Sequence, residues 1–514
     1  MRKIIMLCVL TLSIALTACS GEKNNSSDNN SQAESTQQES NGPVYGGSVV
    51  VGVQQDVDSL DPHLATAAGT REILFNVFEG LVKADENGNL VAAVASDYEV
   101  SEDGKTYTFT LRDGIMFHNG NLVTVEDIKY SLERCAGLLD GTPLVSALKR
   151  VESVEIVDDS TVAVHLKEAD SEILCYLTCA IIPADSAEGD GTPVGTGPFK
   201  FVSYTPQQSI VLAKNENYWQ PGVPYLDEVT FKIVANTDSA MLELKAGSID
   251  IFPYLTDDQA NELSSTFNIS SNASDVIQAL FINNAVEPFD DVRVRQALVY
   301  AVSSGDINDM VSGGRGYEIA TSMLPGLSQY YVDLNEEYAY NVEKAKELLA
   351  DAGYADGFDM TITVPANYQI HMDTAQIIVE QLKLVGINAT IDAVDWGVWL
   401  QDVYTDRKYQ TTVCGITGQL APSYVLSRYV SDSSKNFVNF ADSEFDEVFA
   451  EASNTMDMTV KTEGYHRLQE ILAEQAASVY IQVPPTLIAI NPELAGYKSY
   501  PIYVQDMASV YFTK

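Results

Sequence analysis

The stretch SEDGKTYTFTLRDG at residues 101–114 indicates most directly what kind of fold this chain adopts. Within it, Tyr107, Phe109 and Leu111 alternate with threonines. A period of two is typical of a strand with one buried face. Asp103-Gly104, immediately before the strand, favours the tight turn of a hairpin. The stretch therefore predicts a half-buried β-strand that follows a turn.

Further strands and helices are predicted on both sides of this stretch. Apolar residues in strand-like patterns predict strands at 48–53, 229–233 and 387–393. Apolar residues at helical spacing predict helices at 237–247, 341–353 and 374–385. Because helices and strands follow one another without an all-parallel pattern, the predicted fold class is α/β with mixed sheets. The predicted helix caps are Thr237 and Asn341 at the starts, and Gly247, Gly353 and Gly386 at the ends.

The composition limits the classes of protein to which the chain can belong. It has 514 residues, of which 46% are apolar, enough for about three domains or two large lobes with full cores. It carries 30 Lys and Arg against 72 Asp and Glu, a formal net charge of −42. An acidic surface repels phosphate backbones, so nucleic acid is not expected as a partner. No run of about 18 apolar residues follows the N-terminal region, which argues against a polytopic membrane protein.

The N-terminal residues predict export. Arg2 and Lys3 form a positive region, and the apolar residues 4–16 are too few to span a membrane. Leu16-Thr17-Ala18-Cys19 resembles the lipobox of bacterial lipoproteins, in which the cysteine is lipidated. The alternative is an ordinary secretory signal with an incidental cysteine.

We therefore predict a lipoprotein signal peptide at 1–18 and lipidation of Cys19. Residues 19–43, rich in Ser, Asn, Gln and Glu, are predicted to form a flexible tether. The lipid is then the one expected contact with the membrane. The folded part would work outside the cytoplasm, at the cell surface or in the periplasm.

Four cysteines lie beyond the predicted lipid anchor. Cys175 and Cys179 are four residues apart and could form a helical pair, a disulfide or half of a metal site. Their neighbours are apolar and no histidine is near in sequence, which favours buried thiols. The other two are Cys135 and Cys414.

Signatures of catalysis are missing from the sequence. It contains no nucleophile elbow, no phosphate-binding glycine loop and no zinc-protease motif. None of its five histidines is spaced to share a metal with another. We therefore expect no catalytic residues, no metal and no cofactor. A surface hydrolase and a scaffold are the less favoured alternatives.

Several ordered motifs carry a resemblance to a known family. The motifs are Leu60-Asp61-Pro62, Phe78–Val82, Ser101–Gly114, Phe117–Gly120, Thr124–Ile128, Gly195–Phe199, Asn215–Trp219, Asp291–Leu298 and Asn341–Tyr354. Each motif alone has a simple structural explanation, but together and in this order they are specific. From about residue 44 to the C-terminus the chain is similar to the family 5 extracellular solute-binding proteins of ATP-driven importers, the dipeptide, oligopeptide and nickel group.

The resemblance implies a two-lobed fold of the type II periplasmic-binding-protein class with an extra subdomain. Ligand would bind in a cleft between the lobes, which close by hinge motion. The closed protein would dock on an importer permease that works with ATPase subunits. By carry-over, the first lobe comprises 44–73, 190–275 and 487–514, the inserted subdomain 74–189, and the second lobe 276–486.

The resemblance also implies where the ligand is bound. In peptide-binding relatives the loop after the first strand lines the cleft, and here it is Thr66-Ala67-Ala68-Gly69. A tryptophan after an acidic residue corresponds to Trp396, and Trp399 is a second candidate. Stacking on ligand and packing in the core are equally open for Trp396.

Two departures from the family pattern concern the ligand's charges. In peptide binders an aspartate at the position of Gln419, within Gly415-Ile416-Thr417-Gly418-Gln419, holds the ammonium group. In dipeptide binders an arginine near Met372 holds the carboxylate, and here the neighbour is His371. His371 either contacts a carboxylate or is an exposed residue at a helix start.

Two classes of ligand follow. The first, favoured by family frequency, is an oligopeptide longer than two residues, bound mainly through backbone hydrogen bonds. The second is a non-peptide such as an oligosaccharide or opine, with a metal chelate third. Aromatic and amide side chains that suit sugars are Tyr368, Tyr424, Trp396, Trp399 and Gln419.

Overall fold

The quoted stretch forms an inner strand of a four-stranded antiparallel sheet, paired on both sides. The computed structural model describes residues 42–65, 67–186, 191–234 and 236–514. Tyr107 and Phe109 are buried, and Gly104 forms the turn with a φ of 66°. The predicted hairpin is thus confirmed. The sheet has the order β4-β5-β7-β6, with β4 at Ala95–Val100, β5 at Thr106–Leu111, β6 at Val151–Asp158 and β7 at Thr161–Leu166.

A seven-stranded sheet combines strands from distant parts of the chain. The first strand is parallel to two neighbours, while the other pairings that are resolved are antiparallel. Its order is β12-β19-β11-β1-β10-β9-β8. The strands are β1 at Ser48–Val53, β8 at Phe199–Thr205, β9 at Ser209–Lys214, β10 at Glu228–Ile233, β11 at Ile251–Leu255, β12 at Asn268–Ala273 and β19 at Pro485–Ile490.

A six-stranded sheet contains most of the remaining strands. Its parallel pairs lie at one end and its antiparallel pairs at the other, so both large sheets are mixed, as predicted. The order is β14-β18-β13-β17-β15-β16. The strands are β13 at Val276–Ile282, β14 at Tyr317–Glu318, β15 at Asp359–Pro365, β16 at Asn388–Val394, β17 at Thr411–Thr417 and β18 at Ser478–Val483. Two small pairs are β2 at Val82–Ala84 with β3 at Leu90–Ala92, and β20 at Leu494–Ala495 with β21 at Tyr511–Phe512.

Helices cover these sheets. Trp396–Val398 continues as a π-helix at Trp399–Thr405. The helices are α1 at Ala68–Leu74, α2 at Val125–Ala136, α3 at Thr237–Lys245, α4 at Asp257–Leu263, α5 at Val292–Ala301, α6 at Ser304–Ser312, α7 at Val342–Asp351, α8 at Gln369–Lys383, α9 at Trp396–Val398, α10 at Ser423–Leu426, α11 at Ser443–Asn454 and α12 at Met458–Glu474.

The central strand of the six-stranded sheet is buried on both faces. In β13, Ile277, Ala279 and Phe281 pack into one apolar cluster. Leu280 and Ile282 pack into another cluster on the opposite face. A strand covered on both sides reads as a nearly continuous apolar run, which is the pattern of this segment.

One predicted helix cap and one predicted helix start were wrong. The N-cap of α3 is Asn236, whose side chain accepts from the backbone N–H of Ser239, and not Thr237. Helix α8 begins at Gln369 rather than at residue 374. Its first turn contains the polar residues Gln369 and His371, so the apolar periodicity does not show the helix start. The Asn341 cap of α7 is confirmed.

The chain passes between the two large sheets at two places. Strand β12 leads to β13 through Ser274 and Asp275, and β18 leads to β19 through Pro484. The carboxyl ends of β15, β16, β17 and β18 lie at the same edge as the start of β13. The carboxyl ends of β1, β11 and β12 likewise meet the start of β19. The crossings therefore connect these two edges, and the assignment of lobes at the predicted boundaries stays a proposal.

Some predictions fall on residues outside this description. They are the signal peptide at 1–18, the lipidated Cys19, most of the tether at 19–43, and Thr66.

Candidate ligand-binding site

The candidate site lies where the edges of the two large sheets are joined. The loop after β17 contains Gly418 and Gln419, and Gly418 donates its N–H to the carbonyl of Asp275 at 2.6 Å. Val276 lies opposite Thr417 in the β13–β17 register. The predicted residues Gly415, Thr417 and Gln419 therefore lie beside the first crossing.

Two glycines, one in β17 and one in the loop after it, make room for neighbouring side chains. A Cβ on Gly415 would lie 2.5 Å from Cγ1 of Val276 and 3.4 Å from Cε1 of His371. A Cβ on Gly418 would lie 2.3 Å from Cδ1 of Leu324. Thr417 is exposed and Gln419 is half-buried. In the described part of the chain, the Gln419 side chain forms no hydrogen bond, so its amide is available to a ligand.

His371 is buried at the start of α8 and ends a chain of polar side chains. Ser312 Oγ donates to Gln482 at 2.9 Å, Gln482 Nε2 to Gln278 at 2.8 Å, and Gln278 Nε2 approaches His371 Nδ1 at 2.8 Å. In this orientation Nδ1 accepts, and Nε2–H remains as a donor. Burial lowers the pKa of His371 to about 4, so the ring is neutral at pH 7. The alternative of an exposed histidine at the helix start is therefore wrong.

Aromatic rings form a ladder next to this histidine. Trp396 and Trp399 stack with centroids 5.0 Å apart at an interplanar angle of 5°, and Tyr368 meets the Trp396 ring edge-on at 5.5 Å. Trp396 is 39% exposed and Tyr368 42%, whereas Trp399 is 5% exposed and donates from Nε1 to Thr412 Oγ1 at 2.9 Å. Trp396 thus offers an aromatic surface, while Trp399 supports it from the core.

Positive charge gathers around Tyr424 on the same side of the sheet. Lys435 Nζ lies 4.8 Å from the centre of the Tyr424 ring, and Arg428 Nη2 lies 3.4 Å from its hydroxyl. Arg428 also donates to the hydroxyl of Tyr404 at 3.1 Å. Met372 instead packs against the core cluster behind α8.

The predicted loop after β1 lies on the side of the seven-stranded sheet. Ala67 N–H is bound by the Asp58 carboxylate at 2.9 Å, and Ala68 and Gly69 begin α1. A Cβ on Gly69 would lie 3.0 Å from Cβ of Gln55, so this glycine permits close packing of its own loop. Ala68 is exposed.

A buried acid follows on the same helix. Glu72 is 1% exposed, and its carboxyl is hydrogen-bonded by the hydroxyl of Tyr254, which is itself 2.6 Å from the hydroxyl of Tyr503. Burial raises the pKa of Glu72 to about 7. The Tyr254 and Tyr503 rings stack with centroids 6.1 Å apart.

Asp275 is a charged residue of this site that the sequence pattern missed. It lies in the first crossing, beside Gly418, and burial raises the pKa of its carboxyl. Among the residues that the structure describes, no Lys, Arg or His forms an ion pair with it. The sequence does not show where the chain crosses between the sheets, and Asp275 can be identified as a site residue only from that position.

Four of the motifs that carried the resemblance form a structural cluster instead. Glu79 is buried and accepts from Tyr218 OH at 2.7 Å, Trp219 Nε1 at 2.8 Å and Thr196 Oγ1 at 3.2 Å. His118 lies against the same segment, with Nε2 3.0 Å from the carbonyl of Gly197. These contacts hold four segments together, and none of them involves a residue of the candidate site.

Other features of the described residues lie outside the site. Cys135, Cys175, Cys179 and Cys414 are free thiols, the first and last of them buried. No described group of three or more His, Cys, Asp or Glu could hold a metal ion. A cavity of about 240 Å³ near Ser303, Glu318 and Tyr338 contains none of the predicted site residues.

Comparisons with known proteins agree with this geometry. The family model of the bacterial extracellular solute-binding proteins, family 5 (middle region), matches residues 89–437. The chain belongs to this family. It is 28% identical over 470 residues to the glutathione-binding protein GsiB of Shigella flexneri, which covers 87% of this chain and 91% of that protein.

Two solved structures are similar over nearly the whole chain. The periplasmic binding protein DppA of Helicobacter pylori, in complex with the peptide STSA, is 25% identical with a TM-score of 0.72, covering 92% of this chain and 99% of that one. AgaA of A. tumefaciens R10, in complex with agropinic acid, is 27% identical with a TM-score of 0.70, covering 91% of this chain and 99% of that one. The fold is therefore the type II periplasmic-binding-protein fold.

Family membership gives this solute-binding protein its general role. Members capture solutes outside the cytoplasm for ATP-driven import, a role in binding rather than in catalysis. The periplasm or the cell surface is therefore its place of work. In the ranges that the structure describes, no helix combines the length and apolar character needed to cross a membrane.

Proposed function

We propose that this solute-binding protein captures oligopeptides and delivers them to the permease of an ATP-driven importer. The observation that carries the proposal is the position of Asp275, whose backbone carbonyl accepts from Gly418, next to Gln419, and whose carboxylate has no cationic partner among the described residues. Asp275 supplies a negative partner for a peptide's ammonium group, which the neutral Gln419 cannot do. GsiB and DppA, whose names and bound peptide point to peptide-like solutes, support this ligand class.

Neutral groups bind the rest of the peptide in this proposal. Nε2–H of His371 and the amide of Gln419 bond to backbone carbonyls, and Trp396 packs against a side chain. Because His371 is neutral at pH 7, it binds a carbonyl rather than pairing with a carboxylate as a cation. The positive charges of Arg428 and Lys435 attract a carboxylate or an acidic side chain.

A non-peptide ligand such as an opine is the second candidate. Its support is the exposed face of Trp396 and the similarity to AgaA, whose structure contains agropinic acid. Aromatic faces and amides also suit sugar rings and hydroxyls.

A thermal-shift screen of residues 42–514 distinguishes these candidates. The panel contains di- to octapeptides, oligosaccharides, opines and nickel chelates. A ligand at about 100 times its Kd adds about 2.7 kcal/mol to the free energy of unfolding, which raises the Tm measurably. We expect peptides of three or more residues to raise it. Stabilisation by opines or sugars alone would contradict the peptide proposal.

We also propose that Cys19 is lipidated and that residues 19–43 tether the folded part to the membrane. The support is the lipobox-like sequence before Cys19. Cys19→Ser should move the protein from the membrane fraction to the soluble fraction of the producing cell, or leave it unprocessed. Unchanged processing and fractionation would contradict the anchor.

A further inference from the structure

A buried acid outside the ligand site connects two distant parts of the chain. Glu172 lies just beyond the four-stranded sheet, and its side chain is 4% exposed. Its Oε1 accepts from Tyr465 OH at 2.6 Å and from the N–H of Ser423 at 3.3 Å. The Ser423 hydroxyl donates to Oε2. Both partners belong to the part of the chain that contains the six-stranded sheet.

Lys461 balances the charge of this acid. Its Nζ lies 3.5 Å from Oε1 of Glu172 and 3.1 Å from the hydroxyl of Ser171, and its side chain is 3% exposed. The ammonium group also lies 5.8 Å from the centre of the Tyr330 ring. A buried carboxylate is tolerated when it is paired and hydrogen-bonded, and here both conditions hold.

The contact is made at the loop that contains Gln419. This loop is fixed at one end by the bond from Gly418 to the carbonyl of Asp275, and at the other by the bonds from Ser423 to Glu172. Gln419 lies between the two attachment points, and Tyr424 follows directly after the second. Movement at either point therefore displaces the side chains proposed to contact the solute.

The contact also joins the two sides of the molecule at a place away from both crossings. The chain enters the four-stranded sheet from β1 and returns to β8, and both strands belong to the seven-stranded sheet. Ser423, Lys461 and Tyr465 lie on the other side of the crossings. Separation of the two sides would break every hydrogen bond to Glu172 described above.

We propose that Glu172 is a positioning residue, which fixes the Gly418–Ser423 loop in its binding conformation when the two sides are together. Solute affinity then depends on a residue that does not contact the solute. This inference rests on the proposed function for its ligand, but the state of the loop can be measured without one.

Variants that change Glu172 and Lys461 together separate the effect of the Glu172 hydrogen bonds from the effect of its charge. Glu172→Gln alone would leave the Lys461 ammonium buried without a counter-ion and could unfold the protein. We therefore combine each change with Lys461→Met. In the variant E172Q/K461M the amide still accepts from Tyr465 and donates to Ser423, whereas E172A/K461M makes neither bond. Glu216→Gln, in the exposed pair with Lys200, is the control.

Hydrogen exchange of the ligand-free variants is the first readout. We expect amides of residues 418–426 to exchange at least about tenfold faster in E172A/K461M, the factor for losing one hydrogen bond to a charged group. E172Q/K461M and E216Q should stay close to the parent protein. Equal exchange in the two double variants would overturn the proposal, since a general loss of stability would affect both alike.

Affinity for the solute found in the screen is the second readout. We expect E172A/K461M to lose at least about tenfold in affinity, with E172Q/K461M retaining most of it. Faster loop exchange with unchanged affinity would overturn the link to binding. If the loop responds as expected but no peptide binds any variant, the positioning role is supported and the peptide proposal fails.

Discussion

At the scale of single residues, the two stacked tryptophans have different roles. Trp396 is exposed on one side, whereas Trp399 is buried and hydrogen-bonded to Thr412. We expect Trp396→Ala to reduce solute affinity while changing the free energy of unfolding by less than about 1 kcal/mol. Trp399→Ala should cost about 3–5 kcal/mol of stability, because it leaves a large cavity.

Urea denaturation and calorimetric titration of both variants test this difference. Trp396→Phe is the matched control, since it keeps an aromatic face. A large loss of stability in Trp396→Ala with unchanged affinity would show that this ring serves packing alone.

Glu72 should make stability depend on pH. Its pKa is about 7 in the folded protein, against an ordinary value of 4.5. Between these values the folded state binds more protons than the unfolded state, so stability falls as pH rises, by at most about 1.4 kcal/mol per pH unit. Glu72→Gln should remove this contribution.

The measurement is the difference in unfolding free energy between the parent protein and Glu72→Gln from pH 4 to pH 8. We expect the difference to favour the variant increasingly as pH rises through this window. Parallel curves would mean that the Glu72 carboxyl keeps its ordinary pKa.

The candidate site could be predicted from the sequence only in part. Trp396 and Gln419 were identified through the family pattern. In the structure, Gln419 lies beside the first crossing, and Trp396 belongs to the aromatic ladder. The burial of His371 depends on contacts with Gln278 and Gly415, which are distant in sequence. Asp275 was missed because an isolated acid in an acidic chain carries no pattern.

At the scale of elements, two glycines test the role of the family motifs. A Cβ on Gly195 would lie 2.1 Å from the carbonyl oxygen of Val77, whereas one on Gly397 would meet no atom within 4 Å. We expect Gly195→Ala to destabilise by about 1–3 kcal/mol or more, and Gly397→Ala by less than about 0.5 kcal/mol.

Chemical denaturation of both variants checks this expectation. Gly195→Ala at parental stability would show that the loop moves away from Val77 at little cost, and the motif would then need another explanation.

Local sequence patterns predicted strands and helices correctly where the element has one buried face or where a polar side chain caps the helix. The alternation at Thr106–Leu111 and the Asn341 cap are examples. The start of α8 could not be predicted in the same way, because tertiary contacts bury the polar His371 and Thr374. Sheet order was also beyond the sequence, since β1 pairs with β10 and β11 across long separations.

At the scale of the whole molecule, the two large sheets are joined by two short crossings, and we propose that these serve as the hinge. We expect the radius of gyration, measured by small-angle X-ray scattering, to fall when a solute is bound, because closure brings the two sides together. E172A/K461M should shift the ligand-free protein towards the larger value. Identical scattering with and without bound solute would contradict closure by hinge motion.

The most direct test of peptide capture is calorimetric titration of residues 42–514 with a tetrapeptide and with its N-acetylated form. We predict that the free peptide binds about ten- to a hundredfold more tightly, the value of a charge-assisted hydrogen bond, and that Asp275→Asn abolishes this preference. Equal affinity for both peptides in the parent protein, or an unchanged preference in Asp275→Asn, would contradict the account.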